Sequence, residues 1–228
     1  MSDRALREFL RPTAYVDSDA DTVVAFARRV THGIADPVAR AVALYYAVRD
    51  EITYTAYCDF KSVETYRASG CLARGAGFCV GKAALLAATA RATNIPARVG
   101  FADVRNHLTS PRLRRMMTTD VFYYHGYAEL YLDGAWVKAT AVFDKTLCDR
   151  VGIRSLEFDG RHDALFHPFD ASGRRHMEYV RDRGASADVP VEEIIEAFER
   201  HYPGLTAAGA AGPVDRFRNE AERVPEAP

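Results

Sequence analysis

The sequence predicts an α+β domain, and three observations predict it. Segments 20–30 and 36–50 carry apolar residues at helical spacing, residues 79–91 form an alanine- and leucine-rich helix, and residues 121–142 alternate around Asp133-Gly134. The first helix shows Val23, Val24, Phe26, Ala27 and Val30 on one face. The preceding Asp17-Ser18-Asp19-Ala20-Asp21 looks like half a calcium loop, but Thr22 stands where that loop needs glycine and Arg28 where it needs glutamate. These acids read as N-capping and first-turn residues. Asp36 caps the second helix with Pro37 at its first position. Residues 51–57 suit a short strand, and Gly70, Gly75 and Gly77 mark 69–78 as a tightly turning loop. Asn94 and Pro96 end the alanine-rich helix, and 97–104 reads as a strand. Residues 145–190 are charged and weakly periodic, as in an accessory segment. Ile194, Ile195 and Phe198 face one side of a last helix over 191–200. Residues 1–204 are expected to form a single domain, and the Ala/Gly/Pro-rich 205–228 a loosely ordered tail.

Composition narrows the function classes. With 228 residues and 48% hydrophobic content, the chain has enough apolar material for one core. Thirty basic against thirty-one acidic residues leave no global field for nucleic acid or an anionic membrane, so neither is an expected partner. No run reaches the roughly 18 apolar residues of a membrane span. The N-terminal residues lack a signal peptide's apolar stretch, so a cytoplasmic location is expected. Cys58, Cys71, Cys79 and Cys148 form no C-x-x-C pair, which argues against structural zinc. His162, His167 and His176 with Asp159, Asp163 and Asp170 are metal-capable, but their irregular spacing argues against a site. No metal is expected.

Chemistry concentrates at Cys79. It starts a helix directly after glycines, where unpaired backbone N–H groups and the helix dipole favour a thiolate and suit an oxyanion. A thiol nucleophile needs an imidazole, and His125 lies on the best-defined strand. Counting back from the Asp133-Gly134 turn opposes Glu129 to Lys138, an expected ion pair, then Tyr127 to Thr140 and His125 to Val142. Thr140 and Asp144 are then both diagonal to His125, and either is a candidate to orient it. Phe78, Tyr124, Tyr127 and His107 are the candidate substrate-binding residues, with 103–107 read as a loop and His107 a rival base. The aromatic strand residues Phe122, Tyr123 and Tyr131 suit sheet packing. Arg112, Arg114 and Arg115 read as a solvated turn, with binding of an acidic partner the lesser alternative.

Two stretches carry a resemblance. Gly77-Phe78-Cys79-Val80, with Ala83-Ala84-Leu85-Leu86 and Arg91-Ala92-Thr93-Asn94-Ile95-Pro96-Ala97-Arg98, resembles the cysteine motif of the transglutaminase-like superfamily. Residues 125–137, from His125-Gly126-Tyr127 to Ala135-Trp136-Val137, resemble its histidine motif. The resemblance implies a papain-like fold in which a cysteine-bearing helix packs on an antiparallel sheet, with Cys79 as nucleophile and His125 as general base. In the family an aspartate usually stands four residues after the tryptophan. Here that position is Thr140, so the set becomes Cys-His-Thr unless Asp144 reaches back. A thioester, whose thiol leaving group needs no proton, suits such a set better than an amide. The implied activity is cofactor-free acyl transfer on a small-molecule, peptide or carrier-bound acyl substrate. Water as acceptor gives a hydrolase, an amine a transferase, and a carbon nucleophile a cyclase. A silent binding module is the alternative.

Overall fold

Asp36 accepts a hydrogen bond from the Ala39 N–H at 2.7 Å and Pro37 opens the helix behind it, as the capping pattern predicts. The computed structural model describes residues 3–107, 111–166, 173, 175–207 and 212–221. In chain order the elements are α1 (Asp3–Leu6), α2 (Asp21–Thr31), α3 (Pro37–Glu51), β1 (Thr53–Tyr54), α4 (Ala68–Arg74), β2 (Ala76–Gly77), α5 (Cys79–Ala92) and β3 (Ala97–Asn106). There follow α6 (Pro111–Met117), β4 (Val121–Leu132), β5 (Ala135–Ala139), α7 (Lys145–Val151), β6 (Met177–Ser186), α8 (Val191–His201), α9 (Pro203–Thr206) and α10 (Val214–Ala221). Four strands form an antiparallel sheet in the order β5-β4-β3-β6, and β1 pairs with β2 in parallel.

Helix α5 is the centre of the molecule. Every residue from Cys79 to Arg91 is buried, with α2, α3 and α4 against it and the β3–β4 face on its other side. A helix apolar all round belongs in such a position. Its one lysine, Lys82, is fully buried, and its ammonium donates to the carbonyls of Arg49 (3.0 Å), Ile52 (2.6 Å) and Val142 (2.7 Å). Those bonds tie the end of α3 and the chain after β5 to α5.

Several expectations change. The 69–78 loop is largely helix α4, closed by Gly75 in the left-handed region (φ +60°). Asp17 supports that helix by accepting from the Ser69 N–H at 3.1 Å. The strand over 51–57 contracts to β1. The 145–190 segment is no accessory: it supplies α7 and the edge strand β6, whose exposed, charged residues hide its strand character from a hydrophobic pattern. Asp103 to Asn106 extend β3 rather than forming a loop, and Arg112, Arg114 and Arg115 ride on α6. Within the expected tail, α10 forms and docks; residues 208–211 and 222–228 lie outside the described residues.

Candidate active site

The hairpin forms in the counted register, from Leu132 opposite Ala135 to Ala128 opposite Ala139, with Asp133 (φ +48°) and Gly134 (φ +88°) in the turn. The predicted Glu129–Lys138 ion pair does not form. Glu129 takes Arg98 of β3 at 2.6 Å, while Lys138 lies over the Tyr127 ring and 3.7 Å from Asp182. A residue of a central strand has neighbours on both sides, and here the guanidinium's fork wins.

Beyond Ala139 the count fails. The chain leaves β4: the Thr140 N–H bonds the Ala164 carbonyl at 3.0 Å, and Ala139 and Ala164 bridge in parallel. Tyr45 donates to the Thr140 carbonyl at 3.2 Å and Lys82 to that of Val142, so 140–142 are pinned away from β4. From Gly126 toward its N-terminus, β4 is therefore no longer paired with β5.

The tip of α5 enters beside that stretch. Gly126 touches it so closely that a Cβ there would lie 2.9 Å from the Val80 Cα. Backbone N–H groups of Gly126, Val80 and Cys79 are directed at the Cys79 sulfur and draw its pKa down. Burial is the larger effect and pushes the thiol up to about 11, against the expectation of a thiolate. Cys71 is pushed up to about 11, and Cys58 and Cys148 to about 12, so acidity does not single out Cys79.

His125 follows strand alternation. Gly126, Ala128 and Leu130 share one face of β4, with Gly126 against α5, and His125, Tyr127 and Glu129 belong to the other. Gly126, which meets the tip of α5, is thus the chain neighbour through which His125 is tied to the Cys79 end of that helix. The imidazole is buried against Phe166, ring centroids 5.0 Å apart, and burial lowers its pKa to about 3. Its Nε2 is buried without a hydrogen-bond partner, and the Thr140 hydroxyl is buried beside that of Tyr179. The Asp144 carboxylate is engaged elsewhere: it caps α7 at Leu147 N–H (2.9 Å), meets the Tyr54 N–H (3.4 Å) and takes Arg218 of α10 at 3.0 Å.

A paired irregularity precedes His125. Ala102 opposes His125 but Val104 opposes Phe122, so Tyr123 and Tyr124 together face Asp103 in a β-bulge, with Tyr124 at φ +53°. Asp103 accepts from the Tyr124 N–H at 3.1 Å and from Arg183 of β6 at 2.6 and 2.9 Å. Arg183 is itself the extra residue of a second bulge, between Gly184 opposite Phe101 and Asp182 opposite Ala102. One buried ion pair thus holds both bulges next to the histidine.

The candidate substrate-binding residues scatter. Phe78 caps α5 and packs edge-on against Phe60, Tyr66 and Phe198 in the core. Tyr124 bonds Glu193 at 3.1 Å, beneath the Arg183 guanidinium. His107 follows β3, with its ring 3.4 Å from the Glu178 carboxylate. Tyr127 lines a cavity of about 250 Å³ with Ala102, Lys138, Tyr179 and Asp182, on the His125 face. Sequence reasoning missed Phe143, Phe166 and Tyr54: Phe166 contacts Phe143 (5.1 Å), which contacts Tyr54 (4.8 Å). Tyr54 is in register with Gly77, two residues before Cys79. Among the described residues no three His, Cys, Asp or Glu are placed to hold a metal, and no helix is long and apolar enough to cross a membrane. His167 and Asp170 lie outside the described residues.

Comparison with known proteins gives two results and one blank. No curated protein matches. Among solved structures, a candidate cysteine protease from Cytophaga hutchinsonii superposes with a TM-score of 0.52 at 19% identity, over 82% of this chain and 48% of that one. A candidate protease from Parabacteroides distasonis gives 0.40 at 17% identity, over 60% of this chain and 25% of that one. The chain thus spans about half the length of the first and a quarter of the second. The profile of the transglutaminase-like superfamily matches residues 24–141, more than half the chain, taking in α5, β3, β4 and β5. With a cysteine at the tip of the central helix, a histidine on the adjoining strand and that match across both, the chain belongs to the transglutaminase-like superfamily.

Proposed function

We propose that the protein is a cysteine-type enzyme that transfers an acyl group through Cys79. The observation that carries this reading is the seat of the sulfur: at the first residue of α5, among the N–H groups of Cys79, Val80 and Gly126, one residue from His125. In the resting state both groups are neutral, thiol and imidazole. Attack on an acyl carbon then moves the thiol proton to His125 as the S–C bond forms, and the carbonyl electron pair becomes an oxyanion held by the backbone N–H groups. Collapse expels the leaving group: an amine takes the proton from His125 as it leaves, whereas a thiol departs as thiolate and the imidazolium gives up its proton afterwards, to that thiolate or to solvent, so His125 is neutral again in either case. An acceptor, deprotonated by His125, attacks the acyl-cysteine and restores the thiol. Thr140 is the orienting residue we favour over Asp144, because the Asp144 carboxylate is already bonded to the Leu147 N–H and to Arg218.

One observation favours a silent module instead: His125 is neutral and its Nε2 makes no hydrogen bond. Turnover of matched acyl substrates, one a peptide amide and one a thioester, separates the readings. The enzymatic one expects thioester turnover above amide turnover, abolished in C79A and reduced about 10²–10⁴-fold in H125Q. Equal background rates in all three chains would leave the silent module.

A further inference from the structure

A line of aromatic rings leads from His125 to the last helix. Phe166 touches the imidazole, Phe143 touches Phe166, Tyr54 touches Phe143, and Phe217 of α10 packs edge-on against Tyr54 with ring centroids 5.1 Å apart. Tyr57 closes the other side of Phe217 at 5.9 Å. The next residue, Arg218, reaches Asp144, whose carboxylate is 1% exposed as a residue and bonded at 3.0 Å. A carboxylate so buried needs a cation or hydrogen-bond donors over it. The surface that α10 covers is therefore aromatic at Tyr54, Tyr57 and Phe143 and acidic at Asp144, and α10 supplies a ring and a guanidinium to match.

The attachment of α10 is slight for a structural element. It has eight residues, too few for a stable helix alone, and the Ala/Gly/Pro-rich stretch 207–213 joins it to α9. Besides Phe217 and Arg218, Glu220 bonds Tyr57 (2.5 Å) and pairs with Arg112 (3.4 Å), and Arg216 lies over the Tyr57 ring (5.8 Å), while Val214 is exposed. A short tether makes such docking intramolecular, so weak contacts suffice to fill the groove.

We propose that the groove formed by Tyr54, Tyr57, Phe143 and Asp144 is a substrate subsite for a peptide segment pairing an aromatic residue with a basic one, and that α10 occupies it with its own Phe217 and Arg218. The proposal rests on the acyl-transfer reading for the word substrate, but the recognition itself needs no chemistry at Cys79. The ligand's ring replaces Phe217 between the two tyrosines, its guanidinium replaces Arg218 on Asp144, and α10 leaves.

The test uses N-acetyl-Phe-Arg-amide and N-acetyl-Phe-Glu-amide as probes on the full chain carrying C79A, so that failed catalysis does not affect it. Hydrogen exchange of the α10 amides is expected to speed up with the Phe-Arg probe and to stay unchanged with the Phe-Glu probe. Adding F217A and R218A to the same chain empties the groove and is expected to tighten Phe-Arg binding by roughly tenfold, removing the competitor. Unchanged α10 exchange at saturating Phe-Arg probe, equal response to both probes, or no binding overturns the proposal. A probe that releases α10 in the C79A chain, while the parent chain with Cys79 turns over no acyl substrate, would uphold the subsite and defeat the acyl-transfer reading alone.

Discussion

Cys79 and His125 are each held in the neutral form by burial, the thiol up to about 11 and the imidazole down to about 3. Alkylation of Cys79 by iodoacetamide is therefore expected to climb with pH through the alkaline range. A plateau at neutral pH would mean a thiolate–imidazolium pair instead. Stability carries the same signature with opposite senses. A depressed imidazole pKa means that the unfolded chain, near 6.5, binds the proton that the folded chain refuses. The stabilising contribution is complete above about pH 6.5 and is lost as the pH falls toward 3. Its upper bound is of the order of 5 kcal/mol from the size of the shift. H125Q is expected to flatten the acid limb of a urea-midpoint profile, and an acid limb as steep as in the parent would contradict the buried neutral ring. The raised thiol pKa acts in the other direction: its contribution is whole below the unfolded value and fades as the pH rises toward 11.

At the level of elements, the candidate site rests on how closely the tip of α5 lies on the face of β4. Gly126 is the point of contact, and G126A forces backbone apart. It is expected to cost about 1–3 kcal/mol and to slow Cys79 acylation more than its loss of stability explains. Acylation at the parent rate in a folded G126A chain would mean that contact is not part of the site. The double bulge before His125 hangs on Asp103. D103A strands Arg183 and frees the Tyr124 N–H, an expected loss of about 3–5 kcal/mol read as a lowered urea midpoint. An unmoved midpoint would show the bulges held by the strands alone. Much of this was legible in the sequence: the Asp36 cap, the helix opening at Cys79 and the hairpin register each follow from local chemistry. The bulges were not, because Asp103, Tyr124 and Arg183 are distant in sequence and their ion pair has no local signature. Nor was the end of β5, since Thr140 and Val142 still read as strand; their departure is set by Tyr45, Lys82 and Ala164.

Across the whole molecule, one buried helix forms the centre of the core and carries the proposed nucleophile. Lys82, three residues past Cys79, is one of two charged residues in an otherwise apolar helix (the other is Arg91), visible in the sequence but without meaning until three carbonyls converge on it. K82M leaves those carbonyls unpaired and is expected to destabilise the fold by about 3–5 kcal/mol, measurable in a denaturant titration; a neutral result would remove Lys82 from the account. The 145–190 stretch and the C-terminal residues looked like appendages because β6 is an exposed edge and α10 a short polar helix, yet they complete the sheet and border the site. The central claim is that this fold positions one of four buried cysteines for acylation. Intact-mass analysis after incubation with an acyl thioester, followed by peptide mapping, tests it directly. The account predicts a single acyl group on Cys79, absent in C79A and diminished in H125Q, with Cys58, Cys71 and Cys148 unmodified. No adduct, or acylation spread equally over the four cysteines, would contradict it.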